Sequence, residues 1–136
     1  MKQGDITTQD EALLLPKSFI GTVNRDVTIA SGTQAVTGIG FRPTSIHFLY
    51  NITGTASTGW GFSDKASSGN ASLRDDQLET VDSYQSSGTT AIRILTGVGD
   101  EYDGDVISYD INGFTFDWVK IGSPTGNLNI RFIAYK

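Results

Sequence analysis

The sequence predicts an all-β protein, an antiparallel, jelly-roll-like β-sandwich of about 8–10 short strands preceded by an N-terminal arm. Three observations lead to this class. Charged residues make up only 18% of the 136 residues, whereas long helices are rich in Glu and Lys. The chain contains 16 glycines, and turn-forming residues recur roughly every 8–12 residues. Between these turns apolar and polar residues alternate, as they do in strands with one buried face.

Residues 1–18 are expected to form the arm, and residues 19–136 the sandwich domain. The first segment shows no period-two alternation, and its one apolar cluster consists of Leu13, Leu14 and Leu15. Two alternatives stay open for it: a frayed terminus, and an arm whose leucines contact a neighbouring subunit.

Alternation and turn residues predict the strands of the domain in order, at 22–29, 33–38, 44–50, 59–62, 91–96, 105–111, 113–121 and 128–135. Segment 65–88 is the least regular part, where we expect long surface loops with short strands near 71–74 and 80–84. Asn112-Gly113 is a tight-hairpin signal. The alternation points a core set inward, namely Val27, Ile29, Ile46, Phe48, Ile92, Ile94, Phe114, Phe116, Trp118, Leu128, Ile130 and Phe132.

Composition excludes several classes of protein. Without cysteine there is no disulfide scaffold, thiolate metal site or cysteine nucleophile. A single histidine, His47, excludes any mechanism that needs two imidazoles. A formal net charge of -5 argues against nucleic acid as a partner, because phosphate binding needs clustered Lys and Arg. No apolar run reaches the roughly 7–15 residues of a signal peptide or the about 20 of a membrane span, so we expect synthesis in the cytoplasm and no membrane partner.

Two acidic clusters are the candidate metal sites. Segment 99–105 contains three Asp and one Glu beside glycines, and Asp75, Asp76 and Glu79 form the second cluster. Oxygen ligands of this kind suit Ca²⁺, but the spacing does not match an EF-hand loop. Aspartates beside glycine also stabilise turns through their own backbone. We therefore expect solvated loops, no metal and no cofactor.

The sequence also carries no pattern typical of an enzyme. There is no G-x-S-x-G motif and no phosphate-binding loop that leads into a helix. His47 alternates with apolar neighbours and is expected to point outward, as is Asp117 between two aromatic residues. The prediction is a protein without catalytic activity.

Aromatic residues beside turns are the candidate ligand-facing groups, namely Trp60, Tyr84 and Tyr102. Such rings can stack on sugars, with Asn, Asp and Gln supplying hydrogen bonds. Packing in the core or at its rim is the alternative reading, because most aromatic residues of a small sandwich go there.

The C-terminal third carries a more specific pattern. Segments 108–118 (SYDINGFTFDW), 122–126 (GSPTG) and 130–135 (IRFIAY), together with 38–46 and 59–64, resemble small β-sandwich modules of tailed-bacteriophage virion proteins. The Gly-Phe-Thr and Ile-Ala elements of the ending are also similar to H-type lectin domains. The resemblance extends over residues 20–136.

The resemblance implies a structural protein of a phage virion. We expect a capsid decoration or cement protein that binds major capsid subunits, because no shaft or coiled coil of a fibre is present. Its few charges and loop aromatics predict a homo-oligomer, most simply a trimer, with Leu13, Leu14 and Leu15 in contact with the capsid. The alternative is a tail-fibre or baseplate module that recognises a glycan on the host surface.

Overall fold

The structure is a computed structural model that describes residues 17–75 and 81–136; for residue 75 and residues 81–88 it describes the backbone alone. These residues form no helix and ten strands: β1 (Ser18–Asp26), β2 (Gly32–Thr37), β3 (Ser45–Ile52), β4 (Ala56–Asp64), β5 (Ser68–Asp75), β6 (Val81–Gly88), β7 (Ile92–Gly97), β8 (Asp100–Asp110), β9 (Gly113–Ile121) and β10 (Asn127–Tyr135). Within this part of the chain there is accordingly no helix able to cross a membrane.

The strands make two antiparallel sheets that pack as a sandwich, which confirms the predicted fold class. The six-stranded sheet has the order β1-β10-β3-β4-β5-β6, and the four-stranded sheet has the order β2-β9-β8-β7. Two connections between the sheets run side by side, because β1 pairs with β10 and β2 pairs with β9. This wrapping is the jelly-roll-like feature of the fold. Strands β3–β6 and β7–β9 instead follow one another as meanders.

The core lies between the sheets, and strand alternation determines which side chains enter it. On β3, Phe48 and Tyr50 are buried, whereas His47 and Leu49 are exposed. All the predicted core residues are buried except Ile29. The centre of the core is a group of aromatic rings with neighbouring centroids 4.6–6.0 Å apart: Phe48, Tyr102, Phe114, Phe116, Trp118 and Phe132.

The core prediction for Ile29 is wrong, because β1 ends at Asp26 and the alternation does not continue past it. One carboxylate oxygen of Asp26 accepts hydrogen bonds from the backbone N–H of Thr28 at 2.8 Å and from its hydroxyl at 2.7 Å. These two bonds hold the pKa of the Asp26 carboxyl below its usual value. The resulting turn leaves Ile29 in solvent.

Two segments predicted to be mainly loop are mainly strand. The region 65–88 does contain strands near 71–74 and 80–84, as expected, but they belong to the longer strands β5 and β6, which pair along their full length from Ser68↔Gly88 to Asp75↔Val81. The acidic segment 99–105 lies almost wholly in β8, which begins at Asp100; only Gly99 belongs to the preceding turn. Both predictions were drawn from polar composition, but strand pairing uses the backbone and does not require apolar side chains.

The predicted hairpin between β8 and β9 is present, with its turn one residue earlier than expected. Asp110 pairs with Gly113, so the two turn residues are Ile111 and Asn112. Glycine is needed at 113 for another reason, since a Cβ there would lie 1.8 Å from the carbonyl oxygen of Val36. The close approach of β2 to β9 therefore explains the glycine.

Polar side chains fill the part of the sandwich between β4, β5 and β7. The hydroxyl of Ser57 donates to the carbonyl of Leu95 at 2.6 Å, and the amide of Asn70 donates to the carbonyl of Thr90 at 2.9 Å. Partly buried carbonyls in the edge strand β7 and in the segment that leads into it thus receive side-chain donors. The backbone of Ala91, the residue before β7, passes so close to β4 that Gly61 has no room for a side chain.

Candidate functional site

Among the side chains that the structure describes, the largest group of exposed apolar ones lies on the solvent side of the six-stranded sheet. We name this surface the outer face and define it by its apolar members, which are Ile20, Leu49, Trp60, Phe62, Leu73, Ile133 and Tyr135. They come from five neighbouring strands, β1, β10, β3, β4 and β5. Contiguous exposed apolar surface of this kind marks interaction sites in proteins.

Strand register joins these side chains into continuous rows. In one row Ile20 is opposite Ile133, and the row continues through His47 to Phe62. Directly opposed residues on neighbouring strands have Cβ atoms about 4.5–5.5 Å apart, so the row has no gap. The ring of His47 also packs edge-on against Tyr135, with centroids 5.8 Å apart.

The next row places a single cation in the apolar surface. Arg131 is opposite Leu49, and Leu49 is opposite Trp60. Arg131 is exposed and makes no ion pair within the described residues. The outer face therefore combines aliphatic groups, aromatic rings and one guanidinium.

Amide side chains border the outer face in a third row. Asn24, Asn129 and Asn51 are in register on β1, β10 and β3. The amide of Asn129 donates to the side-chain oxygen of Asn51 at 3.1 Å. With Thr22 and Arg131, these residues line a shallow depression in the sheet surface. The depression offers both hydrogen-bond donors and acceptors to a neighbouring molecule.

The structure places the candidate ligand-facing aromatic residues in different environments. Trp60 lies on the outer face with 55% of its surface exposed. The prediction for Tyr102 is wrong, because its ring is fully buried in the core and its hydroxyl accepts a hydrogen bond from Nε of Arg25 at 3.0 Å. Strand alternation in β8 turns this side chain inward, where its ring stacks on Trp118. Tyr84 is on β6, and its side chain lies outside the described part.

The arm leucines Leu13, Leu14 and Leu15 also lie outside the described residues, so their predicted contacts remain predictions. The same holds for Asp76 and Glu79 of the second acidic cluster. Among the residues that the structure does describe, no group of three His, Cys, Asp or Glu side chains is arranged to hold a metal ion.

The acidic residues of β8 form part of a polar surface on the four-stranded sheet. Arg93 forms a two-pronged ion pair with Asp103, in which its Nε is 2.9 Å from Oδ1, and it is 3.6 Å from Glu101. Asp105 stands opposite Asp117 on β9. Partial burial, reinforced by the nearby charges of Asp103 and Asp117, raises the pKa of the Asp105 carboxyl.

The side chains with potential for acid–base or nucleophilic chemistry are on different faces. His47 points outward from β3, whereas Ser63 points inward from β4 and shares hydrogen bonds with Ser68 at 2.8 Å and with the Tyr109 hydroxyl at 2.7 Å. Burial raises the pKa of Tyr109. These hydroxyls therefore have no imidazole beside them to act as a base.

Of the outer-face residues, only Trp60 is among the predicted ligand-facing residues, although the sequence contains a signal for the others. Strands β3 and β10 contain IHFLY and IRFIAY, which are apolar at nearly every position rather than at alternate positions. Such runs are typical of strands that are covered on both faces. Leu49 and Ile133 are the residues that break the expected alternation.

Comparison of the chain with family models, curated proteins and solved structures finds no match.

Proposed function

We propose that this chain is a structural protein of a bacteriophage virion, a capsid decoration or cement protein that binds major capsid subunits. The observation that carries the proposal is the outer face, a broad apolar surface of the kind found on chains that work as subunits of an assembly. A sheet holds its side chains in register, so the surface needs little ordering when it meets another protein. The resemblance of segments 108–118 and 130–135 to phage virion modules supports the same class.

In this proposal the protein acts by adding interface to the particle. An oligomer, a trimer in the simplest case, sits over the junctions between capsid subunits and holds them together. The arm reaches across such a junction, and each of Leu13, Leu14 and Leu15 can contribute up to about 1.5–3 kcal/mol when its side chain is buried. No catalytic step and no cofactor are required.

Particle labelling tests the proposal. Antibodies against the full chain, used in immunogold electron microscopy of the phage that encodes it, are expected to label the head uniformly and at high density. Deletion of residues 1–16 is expected to leave the sandwich folded by circular dichroism and to lower the number of copies per head. Absence of label from the particle would refute the virion assignment, and sparse label on the tail would favour the alternative below.

The alternative is a carbohydrate-recognition module for host adsorption, which one observation favours. Trp60 presents its ring on the outer face, in the same sheet as the amides of Asn51 and Asn129. Aromatic platforms beside amide groups suit sugar rings. A glycan array with the wild-type chain and the Trp60→Ala variant tests this function, since specific binding that the substitution abolishes would support it over decoration.

A further inference from the structure

We infer that the outer face of the six-stranded sheet is buried against a second copy of this chain. The inference deepens the oligomer that forms part of the proposed function, and it identifies the residues through which the copies meet. It rests on the chemistry of β1, β10, β3 and β4, whose side chains are described in full.

The first argument is that the central strands are apolar on both faces. On β3, Phe48 faces the core while Leu49 faces outward; on β10, Phe132 faces the core while Ile133 faces outward. A sheet with one face in water normally alternates apolar and polar residues, whereas two-sided apolar strands occur where both faces are covered. The cover must extend over several strands, because the apolar row runs from Ile20 on β1 to Phe62 on β4.

The second argument is area. If a fully exposed side chain presents about 200 Å², the exposed fractions of the outer-face residues amount to roughly 700 Å² of apolar surface. The largest apolar patch of a typical monomer is about 300–600 Å². A stable protein–protein interface buries about 800 Å² on each partner. The outer face is thus large enough to be most of one side of such an interface.

The third argument concerns charge, and it selects the outer face as the surface through which two copies meet. The chain carries a formal net charge of -5, so two copies repel each other wherever their carboxylates meet. On the outer face the described carboxylates, Asp26 and Asp64, stand only at the ends of β1 and β4. The four-stranded sheet instead carries Asp105 opposite Asp117 on its outward side, together with Glu101 and Asp103, whose charges Arg93 partly neutralises. Two copies therefore meet with least repulsion through their outer faces.

The fourth argument is self-complementarity. The amides of Asn24, Asn51 and Asn129 both donate and accept hydrogen bonds, so the same row on another copy can satisfy them. The guanidinium of Arg131 can stack on an aromatic ring of the opposing face, such as that of Trp60. Stacked sheets pack face to face about 10 Å apart, so two outer faces can meet directly. The same surface thus supplies its own partner.

The test measures the mass of the full-length protein by light scattering coupled to size exclusion, across a micromolar dilution series. The wild-type chain is expected at twice 14.6 kDa, because a face that packs on its own copy closes as a pair. Leu49→Asp, at a side chain that is 62% exposed, is expected to reduce the mass to 14.6 kDa while circular dichroism remains that of a folded β protein. Ile20→Asp, at 73% exposure, is a second variant with the same expectation.

Ile107→Asp is the matched control, because Ile107 is 56% exposed on β8 of the other sheet. It is expected to keep the wild-type mass. A wild-type chain that is monomeric at every concentration would overturn the inference. Oligomers that persist in both Leu49→Asp and Ile20→Asp would also overturn it. A chain that associates only after deletion of residues 1–16 would overturn it as well, because the arm would then be what covers the outer face. If labelling fails while Leu49→Asp dissociates the oligomer, only the virion assignment falls; if heads are labelled but Leu49→Asp remains oligomeric, only this inference falls.

Discussion

Replacing each of the two tryptophans by alanine should distinguish the energetic contribution of the core from that of the outer face. Trp118 is fully buried, and its ring centroid lies 4.6 Å from the ring centroid of Phe116 and 5.5 Å from that of Tyr102. Its Nε1 donates a hydrogen bond to the side-chain oxygen of Gln34 at 3.0 Å. Truncation of a buried tryptophan costs about 3–5 kcal/mol. The ring contacts and the lost hydrogen bond place Trp118→Ala toward the upper end of that range.

Trp60→Ala removes the same atoms from a side chain that is 55% exposed on β4. Within one copy its main partner is Leu49, directly opposite on β3. Cross-strand pairs on a sheet surface contribute about 0.2–1 kcal/mol relative to alanine, so a loss of about 1 kcal/mol is expected. At about 3–4 °C per kcal/mol for a chain of this length, Trp118→Ala lowers the Tm by roughly 10–20 °C and Trp60→Ala by a few degrees.

The assay is thermal and guanidinium unfolding followed by far-ultraviolet circular dichroism, at two protein concentrations. Trp118→Ala is expected to lower the free energy of unfolding equally at both concentrations. Trp60→Ala is expected to reduce mainly the part that depends on concentration, because that part reports association. Equal costs for the two substitutions would refute the assignment of Trp60 to a surface and Trp118 to the core.

Three further substitutions test particular contacts. Tyr102→Phe leaves Nε of Arg25 without its hydroxyl acceptor and is expected to cost about 1–2 kcal/mol in urea unfolding; no loss would mean that water replaces the hydroxyl. Asp105→Asn is expected to stabilise the protein at neutral pH. Burial raises the pKa of Asp105 above its unfolded value, so the charged carboxylate destabilises the fold. The gain in free energy of unfolding from Asn should therefore vanish as the pH falls through the raised pKa to the ordinary one. A gain that persists in acid would contradict this reasoning. Gly61→Ala puts a Cβ 1.8 Å from the carbonyl oxygen of Ala91 and is expected to lower the free energy of unfolding by about 1–3 kcal/mol. A neutral effect in the same urea unfolding would show that the backbone at Ala91 can move away from β4.

Local pattern alone predicts the sandwich and most of its core. Period-two alternation predicts that Ile46 and Phe48 of β3 point into the core. The hairpin signal near Asn112 predicts the turn between β8 and β9. These features follow from strand geometry, in which successive side chains alternate between faces whatever the partner strands are. The alternation fails at Ile29 because a turn, and not the apolar pattern, ends β1.

The polar half of the six-stranded sheet was beyond prediction from composition. Serine and asparagine are residue types typical of loops, yet Ser57 and Asn70 are buried, and their side chains donate hydrogen bonds to carbonyls of the segment 90–95. Their partners are 38 and 20 residues away along the chain. Whether a serine meets water or a buried carbonyl depends on which strand crosses it, and no local pattern contains that information.

The fold class, the turns and the inward residues of the apolar strands, Trp118 among them, follow from the amino-acid sequence, because they depend on neighbours within a few positions. The arrangement of the strands in space decided that Tyr102 stacks on Trp118 in the core instead of facing solvent. It also brought Ile20, Leu49 and Ile133 together on the outer face from β1, β3 and β10. The physical reason is that strand order and register set which distant side chains become neighbours, and strand order is a property of the whole chain.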